Sequence, residues 1–214
     1  MGPVAVGQLT WAALDAVTLD ANGTLLGLVD PVPALDAALR TRGIERDPDR
    51  IRAAFEAEGR FYLPRSLEGR DAASLARLRD ECAAVFLREL GAGGDAFGGE
   101  YAAALWFAPL PGVREALARL RSLGLALAIV ANWDCGLHDH LDRAGIAVDT
   151  VVTSAEAGVA KPHPRIFHIA LERLGVPPAR ALHVGDSPAD EEGARAAGLA
   201  FLAAPLADAV GALR

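Results

Sequence analysis

The chain has 214 residues, enough for one substantial domain or for a core domain carrying a smaller insert, and just over half of them are apolar. Its 28 acidic and 21 basic side chains give a formal charge of −7, which argues against the basic face that nucleic-acid phosphates require. No apolar run reaches the length of a membrane span, the N-terminus lacks the pattern of a secretory peptide, and Cys82 and Cys135 make neither a disulfide framework nor a zinc site, so a cytoplasmic globule with two reduced thiols is expected.

Ala16-Val17-Thr18-Leu19 is a short apolar run that stops at Asp20, the pattern of a buried strand delivering a carboxylate at its C-terminal end. Asn22-Gly23 follows as a turn signal. From about Pro31 to Phe107 the periodicity is helical: Leu35, Ala38 and Leu39 share one face, Ile51, Ala54 and Phe55 another. Leu75, Leu78, Cys82, Val85 and Phe86 continue at helical spacing, and Tyr101 with Leu105 mark a fourth segment. Breaks fall at Arg42-Gly43, at Leu63-Pro64 and in the glycine cluster of 91–99.

The texture then changes. A helix with Val113, Leu117 and Leu120 on one side ends at Gly124, and Leu125 to Val130 is an uninterrupted apolar strand leading to Ala131-Asn132. A helix around Leu137–Arg143, a strand over Val148–Val152 and a loop to Lys161 follow. Pro164 opens a helix that Gly175 closes, Ala181–Val184 is a strand broken by Gly185-Asp186, and a last helix and strand occupy the region up to Ala203. Strands without period two, alternating with helices, predict an α/β fold: a Rossmann-like parallel sheet with helices on both faces. Such sheets place ligands outside the C-terminal ends of their strands, where Asp20, Asn132, Lys161 and Asp186 all fall. Lys161 stands out further. It is the one lysine among the 21 basic side chains, a sign that arginine cannot replace its compact ammonium.

Four segments resemble the motifs of haloacid dehalogenase-like hydrolases. Leu19-Asp20-Ala21-Asn22-Gly23-Thr24-Leu25-Leu26 is similar to the first, Val130-Ala131-Asn132-Trp133-Asp134 to the second, the segment from Gly158 through Lys161 to Phe167 to the third, and the segment from His183 through Asp186 and Asp190 to Gly198 to the fourth. The resemblance spans almost the whole chain. It implies a core of residues 1–27 and 109–214 with a helical cap at 28–108. It also implies phosphoryl transfer from a small-molecule substrate through a covalent intermediate on Asp20, with one magnesium ion. The metal would be held by Asp20, the carbonyl of Asn22, Asp186 and, through a water, Asp190. Lys161 would offset the charge of the phosphoryl group, Asn132 and the position of Ala131 would face it, and Thr24 would fix the turn.

Two positions depart from the family pattern. Asn22 stands where an aspartate normally acts as general acid and base, a function worth about 10²–10⁴ in rate. Ala131 replaces a Ser or Thr whose hydroxyl would donate to a phosphoryl oxygen. The expectation is therefore a phosphatase with weakened catalysis. The alternatives are an inactive binding or regulatory protein, or a haloacid dehalogenase, whose halide leaving group needs no proton. The acidic pair Asp186/Asp190 is also compatible with a plain helix N-terminal charge pair. His138, His140, His163 and His168 lack a second ligand at metal spacing and are expected to pack or to face water. Arg60, Tyr62 and Arg65 stand near the Leu63-Pro64 break and are expected in a solvated loop.

Overall fold

The computed structural model describes residues 10–93 and 97–212. Residues 1–9, 94–96 and 213–214 lie outside the described set, and with them the N-terminal start of the expected core, the segment on which the secretory-peptide expectation rests and part of the glycine cluster.

The chain runs β1 (Ala16–Leu19), β2 (Leu26–Leu28), α1 (Val32–Arg40), α2 (Pro48–Tyr62), α3 (Ala72–Glu89), α4 (Gly98–Ala104), β3 (Phe107–Pro109), α5 (Val113–Ser122), β4 (Ala126–Ala131) and α6 (Leu137–Ala144). It continues through β5 (Thr150–Thr153), α7 (Ser154–Ala157), α8 (Arg165–Leu174), β6 (Ala181–Gly185), α9 (Pro188–Ala196), β7 (Ala200–Ala203) and α10 (Leu206–Ala212). Five strands form one parallel sheet in the order β5-β4-β1-β6-β7. Burial on both faces explains the unbroken apolar runs. Leu19, Leu127, Ile129, Leu182 and Val184 pack on one side with Leu120 of α5, Leu137 of α6 and Leu206 of α10. Ala128, Val130 and Val152 pack on the other with Phe167 of α8 and Ala194 of α9. Each large apolar side chain so buried contributes about 1.5–3 kcal/mol.

Helices α1–α4 build a separate apolar cluster around Phe86, which lies 5.1 Å from the Tyr101 ring and 6.2 Å from that of Phe97. Two devices start the longer helices. Asp47 caps α2 by accepting from Asp49 N, and Asp71 forms a capping box with Ser74 at the start of α3.

Several local expectations need correction. The helical periodicity does not run to Phe107: that residue opens β3, which pairs antiparallel with β2 in the register Leu26↔Pro109, Gly27↔Ala108 and Leu28↔Phe107. Three-residue strands are too short for periodicity to show. The loop before Lys161 contains the single-turn helix α7, capped by the Thr153 side chain. The strand expected over Val148–Val152 is shifted to Thr150–Thr153, and α10 follows the last strand, where no helix was expected. No helix among the described residues is long and apolar enough to cross a membrane.

Candidate active site

Strand β1 ends one residue before Asp20, so the pairing that fixes the strand also fixes this side chain at the rim of the sheet. Asp20 N donates to Val184 O of β6 at 2.9 Å, extending the ladder by one bond. The turn after it is closed by the backbone: Leu25 N and Leu26 N both donate to Ala21 O, and Gly23 N donates to Leu26 O. Thr24 is not what fixes this turn. It is buried, and its hydroxyl makes no hydrogen bond. Asn22 is exposed at the turn.

Lys161 brings the distant segments together. Its Nζ donates to Asp20 Oδ1 and to Asp190 Oδ1, each at 2.5 Å, and all three side chains are buried. The backbone under the lysine is held by Asn132 at the end of β4. Lys161 N donates to Asn132 Oδ1 at 2.7 Å, and Asn132 Nδ2 donates to Lys161 O at 3.0 Å. Both ends of that amide are thereby engaged with one residue, so Asn132 acts as a positioning residue for Lys161. Ala131, the residue before it, is buried.

Asp190 is the best-connected carboxylate of the group. Its Oδ2 accepts from Ser187 N and Oγ in the capping box that starts α9, while Oδ1 accepts from Lys161 and from His183 Nε2 at 3.0 Å. One side chain thus serves both as the cap of α9 and as an ion-pair partner of Lys161. His183 in turn bonds Thr18 Oγ1 through Nδ1 at 2.9 Å, across the register Thr18↔His183 of β1 and β6. A neutral ring with its proton on Nε2 satisfies both contacts, donating to Asp190 and accepting from Thr18. Sequence reasoning did not single out this pair. The available signal was two polar residues set one and two places before the ends of otherwise apolar strands.

Burial pushes the Asp20 carboxyl up to about 6, against the pull of the Lys161 ammonium. Burial also disfavours charge on Asp190, but the His183 hydrogen bond and the Lys161 ammonium override it and hold that carboxyl well below the usual range. Burial keeps His183 neutral, lowering it to about 4.

Asp186 completes the set. Carboxylate oxygens of Asp20, Asp186 and Asp190 all lie within 4.8 Å of one another, with Asp186 the exposed member. Gly23 makes the approach possible: its φ is +80°, and a Cβ there would lie 2.1 Å from Asp186 Oδ2. Three carboxylates thus gather here, two of them paired with the Lys161 ammonium, an all-oxygen donor set with excess negative charge, which suits a hard divalent cation such as magnesium.

The remaining candidates lie elsewhere. His138 bonds Glu156, His163 accepts from Arg165 N, and His168 faces Ala197 O. His140 packs its ring 4.8 Å from that of Phe107. Arg65 pairs with Glu81 and lies over the Phe61 ring. Tyr62 is not in a solvated loop: its hydroxyl donates to the buried Asp134 at 2.8 Å, tying the end of α2 to the loop after β4.

A family model described as a haloacid dehalogenase-like hydrolase matches residues 14–198. Among curated proteins, the haloacid dehalogenase-like hydrolase domain-containing protein 3 of Xenopus laevis is 48% identical over 82 residues, covering 37% of this chain and 34% of that protein. A phosphoserine phosphatase of Thermus thermophilus is 43% identical over 93 residues, covering 42% of this chain and 37% of that protein. The matched stretch therefore spans only about a third of either relative's length. Among solved structures, an L-2-haloacid dehalogenase of Xanthobacter autotrophicus superposes with a TM-score of 0.63 at 30% identity, covering 88% of this chain and 76% of that one. A HAD phosphatase from Thermococcus onnurineus gives 0.54 at 27% identity, covering 88% and 85%.

Proposed function

This chain belongs to the haloacid dehalogenase-like hydrolase family, and from that premise we propose that it is a magnesium-dependent phosphatase of a small phosphorylated metabolite, working through Asp20. The observation that carries the reading is the meeting of three carboxylates at the sheet rim, two of them paired with the ammonium of Lys161.

Asp20, Asp186, the carbonyl of residue 22 and Asp190 (through a water) would hold the metal, which when bound supplies positive charge to the phosphoryl oxygens. Asp20 attacks phosphorus, forming an acyl-phosphate bond as the bond to the leaving oxygen breaks; water then cleaves the intermediate and restores the carboxylate. Lys161 offsets the negative charge gathered between nucleophile and phosphoryl group, and Asn132 keeps it in place through its backbone. Asn22 donates a hydrogen bond to the leaving oxygen but no proton. Turnover is therefore fastest for esters whose leaving oxygen is stable as an anion. Residues 28–108 serve as a cap over this rim.

Asn22 also favours a second reading. Displacement of halide from a 2-haloacid by Asp20 needs no proton donor at that position, and the likeness to a haloacid dehalogenase is in keeping with it. One panel separates the two: aryl phosphate and 2-chloropropionate, each with and without magnesium, for the wild type and Asp20→Asn. The phosphatase reading expects magnesium-dependent phosphate release that falls by about 10⁴ or more in Asp20→Asn. Metal-independent chloride release with no phosphate release overturns it in favour of the dehalogenase. Neither activity in folded protein leaves the binding-protein reading.

A further inference from the structure

Beside the rim lies a cavity of about 240 Å³ between the helical insert and the core. Its walls come from α2, α3 and α4 on one side and from the β2–β3 ribbon and the loop after β4 on the other, with Leu75, Leu78, Phe107 and Trp133 among the apolar side chains that line it. Trp133 directly follows Asn132, the residue that holds Lys161, so the cavity wall begins one Cα step, about 3.8 Å, from the catalytic rim. The exposed side chains Leu28 and Leu63 also border it, giving it an apolar lip.

The polar groups on these walls are nearly all committed to one another. Tyr101 donates to the buried Glu58 at 2.7 Å. Tyr62 donates to one oxygen of Asp134, and Gly136 N donates to the other at 2.8 Å. Burial, with Glu58 beside it, pushes the Cys82 thiol up, so it stays neutral. Two groups are left over. The half-buried guanidinium of Arg79 has no hydrogen bond or ion pair among the described residues. The buried Nδ1 of His140 has no partner either. Arg79, Ala102 and His140 also border an outer depression that carries Asp139, Asp142 and Arg143, so they stand between cavity and solvent. Gly136 makes room for this arrangement, since a Cβ there would lie 2.8 Å from Arg79 Nη2.

We propose that the cavity receives the non-reacting part of the substrate, and that this part is a compact apolar body, a single ring or a branched chain, bearing one carboxylate that pairs with Arg79. That the occupant is a substrate rests on the hydrolase reading above; its chemistry is argued from the walls alone. The volume is of the order that holds a single ring. A sugar or polyol is disfavoured because its hydroxyls would meet donors and acceptors that are already paired. Each one buried without a partner weakens binding about tenfold or more. A carboxylate, in contrast, gives Arg79 the bidentate partner that the protein does not. Asp134 attracts Arg79 but forms no ion pair with it, its oxygens accepting instead from Tyr62 and Gly136 N.

Calorimetric titration of the whole protein with 4-hydroxybenzoate, phenol and glucose tests the proposal without depending on turnover. The expected order of affinity is 4-hydroxybenzoate, then phenol, then glucose. Arg79→Gln should weaken 4-hydroxybenzoate about tenfold and leave phenol unchanged. Ala102→Leu, which fills the cavity, should weaken both. If Ala102→Leu fails to fold, Arg79→Gln still decides, because that side chain makes no hydrogen bond or ion pair to lose among the described residues and the unchanged phenol affinity reports that the cavity is intact. Binding of 4-hydroxybenzoate no tighter than glucose, or unaltered by Arg79→Gln, overturns the proposal. Hydrolysis is followed in parallel with 4-carboxyphenyl phosphate and magnesium. Selective binding without hydrolysis of any ester leaves the cavity assignment standing and removes the phosphatase reading. Hydrolysis without selective binding does the reverse.

Discussion

On the proposed phosphatase reading, Asn22 and Ala131 are the two residues that would limit the site. A chain of contacts links the buried polar side chains named for the site, Thr24 excepted, with one another and with Asn132 and Ser187: Asp20 to Lys161, Lys161 to Asp190 and Asn132, and Asp190 to His183 and Ser187. Asn22 is exposed at the turn, where an aspartate costs nothing in burial. Asn22→Asp combined with Ala131→Ser should therefore raise magnesium-dependent hydrolysis of an aryl phosphate by about a hundredfold or more. No gain in a folded, magnesium-binding variant places the impairment elsewhere. Gly23 carries a different expectation. A methyl group there meets the Asp186 carboxylate and must also adopt a φ of +80°. Gly23→Ala should cost about 1–3 kcal/mol in stability. Calorimetry should show weaker magnesium binding, and unaltered affinity would remove Asp186 from the proposed ligand set. At this scale the sequence was informative where chemistry dictates residue type. Asp20, Lys161, Asp186 and Asp190 come together although the lysine and the first aspartate lie 141 positions apart. Thr18 and His183 were not legible, because a polar side chain inside an apolar strand gives no sign of what lies across the ladder.

At the scale of elements, periodicity worked where an element was long enough to repeat. Helix α3, with Leu75, Leu78, Cys82 and Phe86 buried, follows its apolar spacing closely. The ribbon of β2 and β3 and the single turn of α7 hold too few residues for any period, and their existence depends on tertiary contacts. The start of α3 gives a clean test of local design. Asp71 is exposed, and its side chain accepts from Ser74 N at 2.8 Å. Asp71→Ala should lower unfolding stability by about 1 kcal/mol, read as a shift of the urea midpoint at constant slope. A larger loss, or a change in slope, would mean that the cap does more than satisfy the first turn.

For the whole molecule, the parallel sheet and its two apolar layers were legible because a doubly covered strand must read as an unbroken apolar run. The join between insert and core was not. It depends on contacts such as Tyr62 with Asp134 and Phe107 with Trp133 and His140, whose members lie far apart in sequence. That join also makes stability depend on pH. Burial lowers His140 to about 4, below its ordinary 6.5, so the folded state resists its protonation while the unfolded chain does not. Its contribution is fully present above pH 6.5 and is lost as the pH falls toward 4. His140→Phe keeps a ring between Phe107 and Trp133 but removes the proton site. The melting temperature of the wild type should drop more than that of His140→Phe between pH 7.5 and 5. Parallel curves would show that His140 titrates freely.

The β2–β3 ribbon has a consequence for how the chain tolerates change. The excursion from residue 29 to 106 leaves and re-enters the core through two strands paired side by side, Leu28 opposite Phe107. The core is thereby shielded from whatever length lies between them: its ends are already clamped at ladder spacing, and each doubling of a flexible loop adds only about 0.6 kcal/mol of closure entropy. Insertions and deletions within that excursion should therefore leave the way the rim is built unaltered.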